Sequence, residues 1–540
     1  MSASVAPSTR GDERNPEQGT HVFTCVFLSI LLFALTMSLR PLAVDGDGAY
    51  HSTRAMYKSF LAGVDPKHPL AAALLRAVYL PLQAAGLKRA SLVGFTAVSA
   101  LCAVGTFLLL ERIIFPRFIR AWPVSLLCAL GVVLSYGVLS RSSTIEVYSP
   151  ALFLDVALTA YCLRSDFTRA RHVVAASLLL VVAVGFHITN VLIIPFVVAL
   201  VIGRAPQDRI NRTLLWGSAT FLLGMAAIVF LLWLGPGRAE WPPDLALILP
   251  QRDPQPALGL VGRLSRGAYG FARTVAFLPY IRELRGALAV PYVVVAGGVF
   301  LLWAHLARKG FLADPGKNVR LLSMLLLMAA PFIFIGFCYY PSDPERWLFL
   351  MPPLWLLIGL AWDQQNPATY RRTVSWDSPI LLGAIVLGLG AYNSAALLPD
   401  ALANRGLAGL KELSMLTSDD DLVISPSGVT GRINEFYLDR LITAENLTLM
   451  ALVQEHGADL HGTQADLADR IDRALQKGRG VFVFNLIGEG HEKQRGYPWA
   501  HMEHDYGPET FLAVLQKYGQ DTICSPSRTS VGIIRLRPRQ

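Results

Sequence analysis

The amino-acid sequence predicts an all-α polytopic membrane protein of roughly eleven transmembrane helices, followed by a small C-terminal α/β soluble domain. Three observations lead to this fold class. Of the 540 residues, 53% are hydrophobic and only 16% are charged, whereas soluble proteins carry about a quarter charged residues. Apolar runs close to the length of a transmembrane helix recur up to residue 397. Beyond that residue the apolar runs shorten to strand length.

The transmembrane domain is predicted to occupy 21–397, after a disordered cytoplasmic tail at 1–20. We interpret the first apolar run as a retained span, because it is long for a signal peptide and follows a long polar tail. Two longer segments, 41–89 and 236–287, are predicted to be loops on the outer face, the first with interfacial helices. The predicted spans are 22–39, 90–110, 122–140, 149–163, 172–187, 189–203, 213–235, 288–306, 319–339, 346–362 and 377–397.

The distribution of Lys and Arg predicts the orientation in the membrane. With the N-terminus in the cytoplasm, five basic loops all fall on the cytoplasmic side, as the positive-inside rule requires. They are 111–120, 164–171, 204–212, 307–320 and 363–372. The net charge of +9 is therefore assigned to these loops, and no nucleic-acid partner is expected. The preference for Arg is typical of GC-rich bacterial genomes, so we expect a protein of the bacterial inner (plasma) membrane.

The region 398–540 is predicted to be an extracytoplasmic α/β domain. Short apolar runs at 421–425, 481–485 and 531–536 are typical of buried strands, and 464–477 has the pattern of an amphipathic helix. This region contains no G-x-G-x-x-G motif or P-loop. Cys524 is the one cysteine of the six that lies there, so no disulfide framework is predicted.

Polar residues that can carry chemistry follow the first span. Asp45, Asp47 and His51 lie in a glycine-rich segment, where a carboxylate can act as a general base or, with His51, bind a divalent metal. The alternative is a solvated loop. Lys67 and His68 come one short segment later and can contact a phosphate. Alternatively, they are the polar start of a helix, for which Pro69 suits the first turn.

Two further predicted outer loops carry candidates. Glu146, which lies two residues before Tyr148, can orient a sugar hydroxyl or ligate a metal. Alternatively, Glu146 is a capping carboxylate and Tyr148 an interfacial tyrosine. Arg346 begins an apolar helix and can pair with a phosphate; otherwise it reaches lipid headgroups or pairs with Asp343 or Glu345. His187, at a junction of two spans, is either a packed histidine or a site histidine.

Taken together, these motifs resemble those of the type C glycosyltransferases, polytopic enzymes that use polyprenyl-phosphate sugars, and within them the protein O-mannosyltransferase-like branch. Asp47 corresponds to the Asp of an Asp-Glu pair, with Gly48 in place of Glu. Asp65 and His68-Pro69-Leu70 correspond to an Asp and a His-Pro-Pro-Leu stretch. Glu146 to Tyr148, and 343–346, resemble later motifs of the same branch. The resemblance covers about residues 40–365.

The resemblance implies an inverting hexosyl transfer from a polyprenyl-phosphate donor to a hydroxyl of a protein, lipid or glycan acceptor at the outer face. Asp47 would be the base, with Asp45 and Glu146 orienting the acceptor or holding a metal. Arg346, Lys67 and His68 would bind the donor phosphate, supported by His51 and Tyr148. No cofactor is implied with certainty, and a divalent metal stays open.

Two other function classes stay open on the sequence alone. A transporter or flippase of a lipid-linked substrate would need ionisable residues near the bilayer midplane; among the predicted spans Asp155 is the main one. A non-catalytic membrane scaffold that presents the C-terminal domain would leave Asp45, Asp47 and Glu146 far apart.

Overall fold

We describe the fold from a computed structural model of the chain. The described residues are 16–41, 51–52, 55–56, 68–87, 90–234, 260–278, 315–338, 343–364, 379–402, 412–425, 444–456, 459–484, 508–524 and 532–538. The predicted span 288–306, most of the two predicted outer loops, and the candidate residues Asp45, Asp47 and Lys67 lie outside this part of the chain.

Thirteen α-helices account for most of the described residues before residue 403. They are α1 (Pro16–Ser38), α2 (Ala71–Ala84), α3 (Ser91–Leu109), α4 (Trp122–Leu134), α5 (Tyr136–Ser142), α6 (Tyr148–Arg164), α7 (Ala170–Phe186), α8 (Ile194–Ile202), α9 (Ile210–Leu234), α10 (Leu260–Val275), α11 (Pro315–Cys338), α12 (Met351–Gln364) and α13 (Pro379–Leu402). Short 3-10 helices at Ile188–Ile193 and Pro344–Leu350 lead into α8 and α12.

In the described residues, four helical segments are long and apolar enough to cross a membrane, or five if one bent pair is a single span. The four are His21–Ser38, Ser91–Arg117, Gln207–Phe230 and Pro379–Leu398, and the bent pair is α4 with α5. Shorter apolar helices lie at Ala71–Ala84, Ala170–Phe186, Ile188–Ile202 and Leu325–Gly336. The total of roughly eleven spans therefore stays a prediction.

Most of the helices pack around one continuous apolar core, and α2 packs against the start of α3 in a smaller one. Helix α3 lies against α1 and α6, α7 lies against α6 and α9, and α4 lies against α12 and α13. A glycine permits the close approach of α4 and α12: a Cβ atom on Gly131 of α4 would lie 2.6 Å from the indole of Trp355 on α12. A side chain at this position would force the two helices apart.

The third predicted span, 122–140, is not one straight helix. Helices α4 and α5 meet at Ser135 with a bend of 63°. The Ser135 hydroxyl bonds back to the carbonyl of Gly131 at 2.7 Å and accepts a hydrogen bond from the Trp355 indole N–H at 3.1 Å. A serine that bonds back to its own helix backbone favours a bend, and Trp355 fixes the bend from the side.

The predicted basic loop 111–120 also begins differently. After α3 the chain continues as a π-helix at Leu110–Ile114 and a 3-10 turn at Phe115–Arg117. The wider π turn carries Glu111 into the protein, where its side chain is fully buried. The predicted loop is therefore helical as far as Arg117, and Glu111 is a packed residue.

The region from residue 422 to 537 contains a five-stranded sheet in the order β2-β1-β3-β5-β4. Its strands are β1 (Leu422–Ser425), β2 (Glu445–Thr448), β3 (Val481–Phe484), β4 (Gly519–Cys524) and β5 (Ile533–Arg537). Its helices are α14 (Leu449–His456), α15 (Leu460–Gln476) and α16 (Pro508–Leu515). The runs from which strands were predicted thus coincide with β1, β3 and β5.

The central strands are parallel and the last two are antiparallel. Strand β1 pairs in parallel with β2 and β3, with Val423 opposite Phe482, and β5 runs antiparallel to β3 and β4. Strands β1 and β3 are buried along their whole length, and Leu467 and Ile471 of α15 contribute to the core on one face. Buried parallel strands require cover on both faces, which explains their unbroken apolar sequences.

Candidate functional site

Three buried histidines meet at one end of the helical bundle. We call His51, His68 and His187 the histidine cluster. The ring centroids of His51 and His68 lie 5.2 Å apart, and those of His68 and His187 lie 4.8 Å apart. His68 lies just before α2, and His187 separates α7 from the following 3-10 helix. The cluster therefore joins the segment after the first span to a junction much later in the chain.

The hydrogen-bond partners determine the tautomers of two of these rings. His68 Nδ1 lies 3.1 Å from the carbonyl oxygen of Phe186; a carbonyl only accepts, so Nδ1 carries the proton and Nε2 is the acceptor of the neutral ring. His187 Nδ1 accepts from the backbone N–H of Thr189 at 3.3 Å, so in the neutral ring Nε2 is the donor. Burial lowers the pKa of His187, and the charges of His68, Arg346 and His51 lower it further.

A second group of charged residues lies beside the histidines. We call Arg141, Glu146, Asp343, Glu345 and Arg346 the arginine–carboxylate network. Arg141, at the end of α5, donates to Glu146 Oε1 at 2.8 Å and also pairs with Glu345. Arg346 Nε lies 3.8 Å from Asp343 Oδ2. Glu146 is nearly buried, with 7% of its side chain exposed, so its charge depends on Arg141 for compensation.

The crowding of charges affects the carboxyl group of Asp343. Burial and the neighbouring negative charge of Glu345 raise its pKa to about 6, although Arg346, Arg141 and the backbone N–H of Glu345 act in the opposite direction. The network thus combines three carboxylates with two guanidinium groups, and the raised pKa of Asp343 brings the titration of this carboxyl closer to neutral pH.

Tyr148 and Arg346 connect the histidine cluster to the network. The ring of Tyr148, at the start of α6, lies 4.8 Å from the ring of His187. Arg346 is close enough for its charge to lower the pKa of His187. The ring of Phe349, one turn after Arg346, lies 6.2 Å from His187. The two groups therefore form one polar region, at what we call the site end of the bundle.

The structure brings together all five predicted site residues that it describes. His51 and His68 lie in the histidine cluster, Glu146 and Arg346 in the network, and Tyr148 between them. The other three, Asp45, Asp47 and Lys67, lie outside the described residues. Arg141 and Glu345 were not among the predicted site residues, and His187 was left undecided. The signal for His187 was a histidine close to Thr189 and Asn190 between two apolar runs.

Glu146 and Arg346 differ in part from their predicted roles. Glu146 is already paired with Arg141, and a guanidinium group in contact opposes the approach of a cation, so in this arrangement Glu146 fits acceptor orientation better than metal ligation. The pairing of Arg346 with Asp343 is the local alternative considered from the sequence. At 3.8 Å this ion pair is longer than a hydrogen bond.

A second buried charge cluster lies elsewhere in the bundle. We call His21, Cys25, Glu111, Arg112 and Trp122 the Glu111 cluster. Glu111 Oε1 accepts from His21 Nε2 at 2.5 Å and from the Trp122 indole at 3.0 Å, and Oε2 pairs with Arg112 Nε at 3.1 Å. Nearby, Asp363 near the end of α12 accepts from the backbone N–H groups of Arg120 and Ala121 at 3.0 Å. We call this the Glu111 end, because α12 runs to it from the site end.

The geometry of the Glu111 cluster argues against a metal there. His21, Cys25 and Glu111 place ligand atoms within 4.8 Å of one another. However, Arg112 Nη1 lies 3.1 Å from His21 Nδ1; guanidinium nitrogens only donate, so Nδ1 accepts and Nε2 keeps its proton. The ring thus offers no lone pair to a cation, and Arg112 would repel one.

Comparison with solved structures identifies the fold. The chain matches the crystal structure of ArnT from Cupriavidus metallidurans bound to undecaprenyl phosphate, with a TM-score of 0.59 and 13% identity over 96% of this chain and 98% of that one. The apo state of the same protein matches with a TM-score of 0.58 and 12% identity over the same shares. No protein-family model and no curated protein sequence matches the chain. The chain therefore has the fold of ArnT, and with its apolar helices it is an integral membrane protein.

Proposed function

We propose that this protein is an inverting membrane glycosyltransferase that moves a sugar from a polyprenyl-phosphate carrier to an acceptor hydroxyl. The observation that carries the proposal is the convergence of His51, His68, Tyr148, Glu146 and Arg346 at one end of the bundle. These residues come from three distant parts of the sequence, around residues 51–68, 146–148 and 346, and a scaffold would not require those parts to meet. The shared fold with a protein solved in complex with undecaprenyl phosphate supports a lipid-phosphate donor.

In the proposed reaction a carboxylate removes the proton of the acceptor hydroxyl. The acceptor oxygen then forms a bond to the anomeric carbon while the bond from that carbon to the phosphate oxygen breaks, and the lipid phosphate leaves with the electron pair. We assign the base to Asp47, from the resemblance of its segment to the family motif. A positioned base of this kind contributes about 10²–10⁴-fold to the rate.

The leaving phosphate gains negative charge, so donors aimed at it stabilise the transition state most. Arg346 supplies a guanidinium group, whose Nε lies 3.8 Å from Asp343 Oδ2. His187, not predicted for this role, suits it as a neutral N–H donor through Nε2. His68 Nε2 is an acceptor in the neutral ring, so His68 contacts phosphate only as an imidazolium ion. Lys67 belongs to this group by its place in the sequence.

The finer assignments rest on the resemblance and on the charge distribution of the loops. They are the protein O-mannosyltransferase-like branch, with a hexosyl donor, and a site on the outer face of a bacterial inner membrane with the 398–540 region on the extracytoplasmic side. The acceptor is a hydroxyl of a protein, lipid or glycan. Active cytoplasmic reporters fused after Asp400, with inactive extracytoplasmic ones, would reverse this orientation.

A transfer assay tests the proposal directly. Purified protein is given a panel of polyprenyl-phosphate sugars, and release of the lipid phosphate and labelling of the acceptor are both followed. We expect Asp47→Asn to reduce turnover about 10²–10⁴-fold while lipid-phosphate binding survives. Asp45→Asn is the matched control from the same segment. Full activity of Asp47→Asn with loss in Asp45→Asn would move the base to Asp45, and full activity of both would contradict the mechanism.

A further inference from the structure

The last helix of the bundle contains a buried amide whose hydrogen bonds all go to the ends of other helices. Asn393 lies on α13 and is fully buried. Its side-chain Nδ2 donates to the carbonyl of Leu134 at 2.8 Å and to the carbonyl of Val275 at 3.0 Å. Its Oδ1 accepts from the backbone N–H of Phe277 at 2.8 Å. Both donors and one acceptor position of the amide are therefore used on backbone groups.

The two carbonyl groups that accept from Asn393 lie at helix ends, where they have no partner within their own helix. Leu134 is the last residue of α4, so its carbonyl faces the 63° break, beyond which the chain no longer continues the helix. Val275 is the last residue of α10. Terminal carbonyls have no partner within their own helix, and burying one unpaired costs about 1–3 kcal/mol. Asn393 thus supplies the missing donor at two helix ends and holds these ends together.

Each of the two helix ends leads to one side of the same ion pair. After the break, α5 ends near Arg141. Near the end of α10, the hydroxyl of Thr274 shares its proton between the carbonyl of Gly270 at 2.8 Å and the carbonyl of Pro344 at 3.0 Å, and the residue after Pro344 is Glu345. Arg141 and Glu345 pair with each other. From Asn393, one path of contacts therefore runs through Leu134 and α5 to Arg141, and the other runs through the end of α10 and Pro344 to Glu345. The two paths meet at the ion pair, and we call these contacts the ring.

The ring has little freedom to adjust. A Cβ atom on Gly137 would lie 2.6 Å from the side chain of Thr274, so α5 and α10 are in close contact between the two branches. Thr274 is fully buried, as is Asn393. A shift at the break would therefore be transmitted to Arg141 rather than absorbed by a loop.

We propose that Asn393 is a positioning residue for the candidate site, acting through the break at Ser135 and the end of α10 to place Arg141 against Glu345 and Glu146. As a statement about transfer, this inference rests on the proposed glycosyltransferase function. As a statement about the bundle, it concerns the order of α5 and of the 3-10 helix Pro344–Leu350, which can be measured without any reaction.

The test compares three variants on the same helix. Asn393→Leu removes all three hydrogen bonds at similar volume, and Asn393→Asp keeps the acceptor but replaces both donors. Val386→Ala is the control, since Val386 is a fully buried apolar residue of α13 and its truncation destabilises the bundle without touching the ring. For each variant, thermal unfolding in detergent, backbone hydrogen exchange, and kcat and KM for a polyprenyl-phosphate sugar are measured.

We expect both Asn393 variants to raise hydrogen exchange in 136–142 and 343–350 and to leave 170–186 unchanged. We expect kcat to fall by about 10–100-fold, because a misplacement of about 1 Å can cost 10²-fold. Val386→Ala should lower the unfolding temperature and leave kcat and the exchange of both segments unchanged. In a protein that already carries Arg141→Lys, adding Asn393→Leu should reduce kcat by less than about a further twofold. The effects of two substitutions that act through the same contact do not add.

Two results would overturn the inference. One is unchanged exchange in 136–142 and 343–350 in the Asn393 variants. The other concerns kcat. The inference fails if Val386→Ala also loses kcat in proportion to its loss of thermal stability, or if the losses of kcat caused by Asn393→Leu and Arg141→Lys multiply in full in the double variant. If the wild-type protein transfers no sugar from the panel, the proposed function fails, while the exchange measurement still decides whether Asn393 orders the two segments.

Discussion

The two ends of the helical bundle both bury charged side chains, and they do so in opposite ways. At the Glu111 end, one carboxylate meets one guanidinium group, and Glu111 accepts from His21 and Trp122 as well as pairing with Arg112. Among the described residues of the arginine–carboxylate network at the site end, three carboxylates share two guanidinium groups, and the pKa of one carboxyl is raised to about 6. The first arrangement balances its charges, whereas the second carries a surplus carboxyl.

This difference separates a structural cluster from a site that responds to ligands. A balanced buried pair gains nothing from a further ion, so the Glu111 cluster is expected to fix α1 to the bundle and to do nothing else. A network with a surplus carboxyl responds to protons and to an anionic group that competes for its guanidinium groups. A phosphate near Arg346 would compete with Asp343 in this way.

The largest expected effect comes from removing the shared cation at the site end. Arg141→Leu leaves Glu146 and Glu345 without their common partner. Breaking such an ion pair lowers the free energy of unfolding by on the order of 3 kcal/mol when the pair is buried. We expect a smaller loss here, because Arg141 is about a quarter exposed. We also expect transfer to fall at least about 10²-fold, as for the loss of a preorganised electrostatic contact. Unfolding temperature and kcat, measured on the same preparation, check this. Normal transfer by Arg141→Leu would remove the network from the site.

The matching change at the other end should affect stability alone. Glu111→Gln keeps the shape of the side chain but leaves Arg112 without its charge partner, so we expect a loss on the order of 2 kcal/mol. Transfer per folded molecule should stay within about twofold of the wild type, because the Glu111 cluster lies at the opposite end of α12. Loss of transfer without loss of stability would mean that the two ends are coupled.

A smaller, pH-dependent effect is expected at Asp343. With its pKa raised to about 6, the carboxyl loses its charge below that pH and releases Arg346, so binding of undecaprenyl phosphate should tighten as the pH falls through 6. Asp343→Asn should bind more tightly than the wild type at pH 8 and equally at pH 5. At each pH the affinity of Asp343→Asn is divided by that of the wild type. The titration of the lipid phosphate affects both proteins equally and therefore cancels in this ratio.

The effect of Asp343→Asn on stability should also depend on pH, and its direction can be worked out. The folded protein holds the Asp343 proton to a higher pH than the unfolded chain does, so this group contributes stability below about pH 4 that is lost as the pH rises through 6. Asp343→Asn should therefore raise the unfolding temperature at pH 8 and leave it unchanged at low pH. A ratio of affinities that is constant from pH 5 to pH 8 would count against a titrating Asp343.

The smallest expected effect is at a helix start of the Glu111 end. Asp363→Ala removes the acceptor for the backbone N–H groups of Arg120 and Ala121 just before α4. Loss of such a cap typically costs about 1 kcal/mol. Transfer should not change, and Asp363→Asn, which keeps an acceptor, should lose less stability than Asp363→Ala. Equal losses would show that the charge of Asp363, not the hydrogen bonds, is what matters.

Much of the fold could be predicted from local patterns. The apolar runs that form α1, α3, α6, α7 and α9 are close to membrane thickness, and those that form β1, β3 and β5 are strand-length, so length alone separates the two regions. His68, Glu146 and Arg346 could be selected as candidate site residues, because polar residues that directly flank apolar helices are candidates for a functional role. The break at Ser135 could not be predicted, because a single serine between apolar residues is compatible with a continuous helix until Trp355 binds to it.

The partners within the site could not be predicted for a related reason. Arg141 pairs with Glu345, and Asn393 bonds to Leu134 and Val275, across large separations in the sequence. A local pattern contains no information about which distant helix a buried polar side chain will meet. Even the position of Glu111 was misleading, since an acidic residue followed by Arg112 at the end of an apolar run is typical of a loop.

The π turn at Leu110–Ile114 lets this segment absorb a change in chain length. A π turn holds about one residue more than the α-helical turn that it replaces, so deleting a single residue there would let α3 continue as a regular α-helix. Each residue of an α-helix turns by about 100°, and the π turn spreads the rotation of roughly four such residues over five, so the chain after the deletion would keep nearly its present direction relative to α3. In homologous chains, the loss of one residue at this point should therefore remove the π turn and change the environment of Glu111, without requiring compensating changes in the helices that follow.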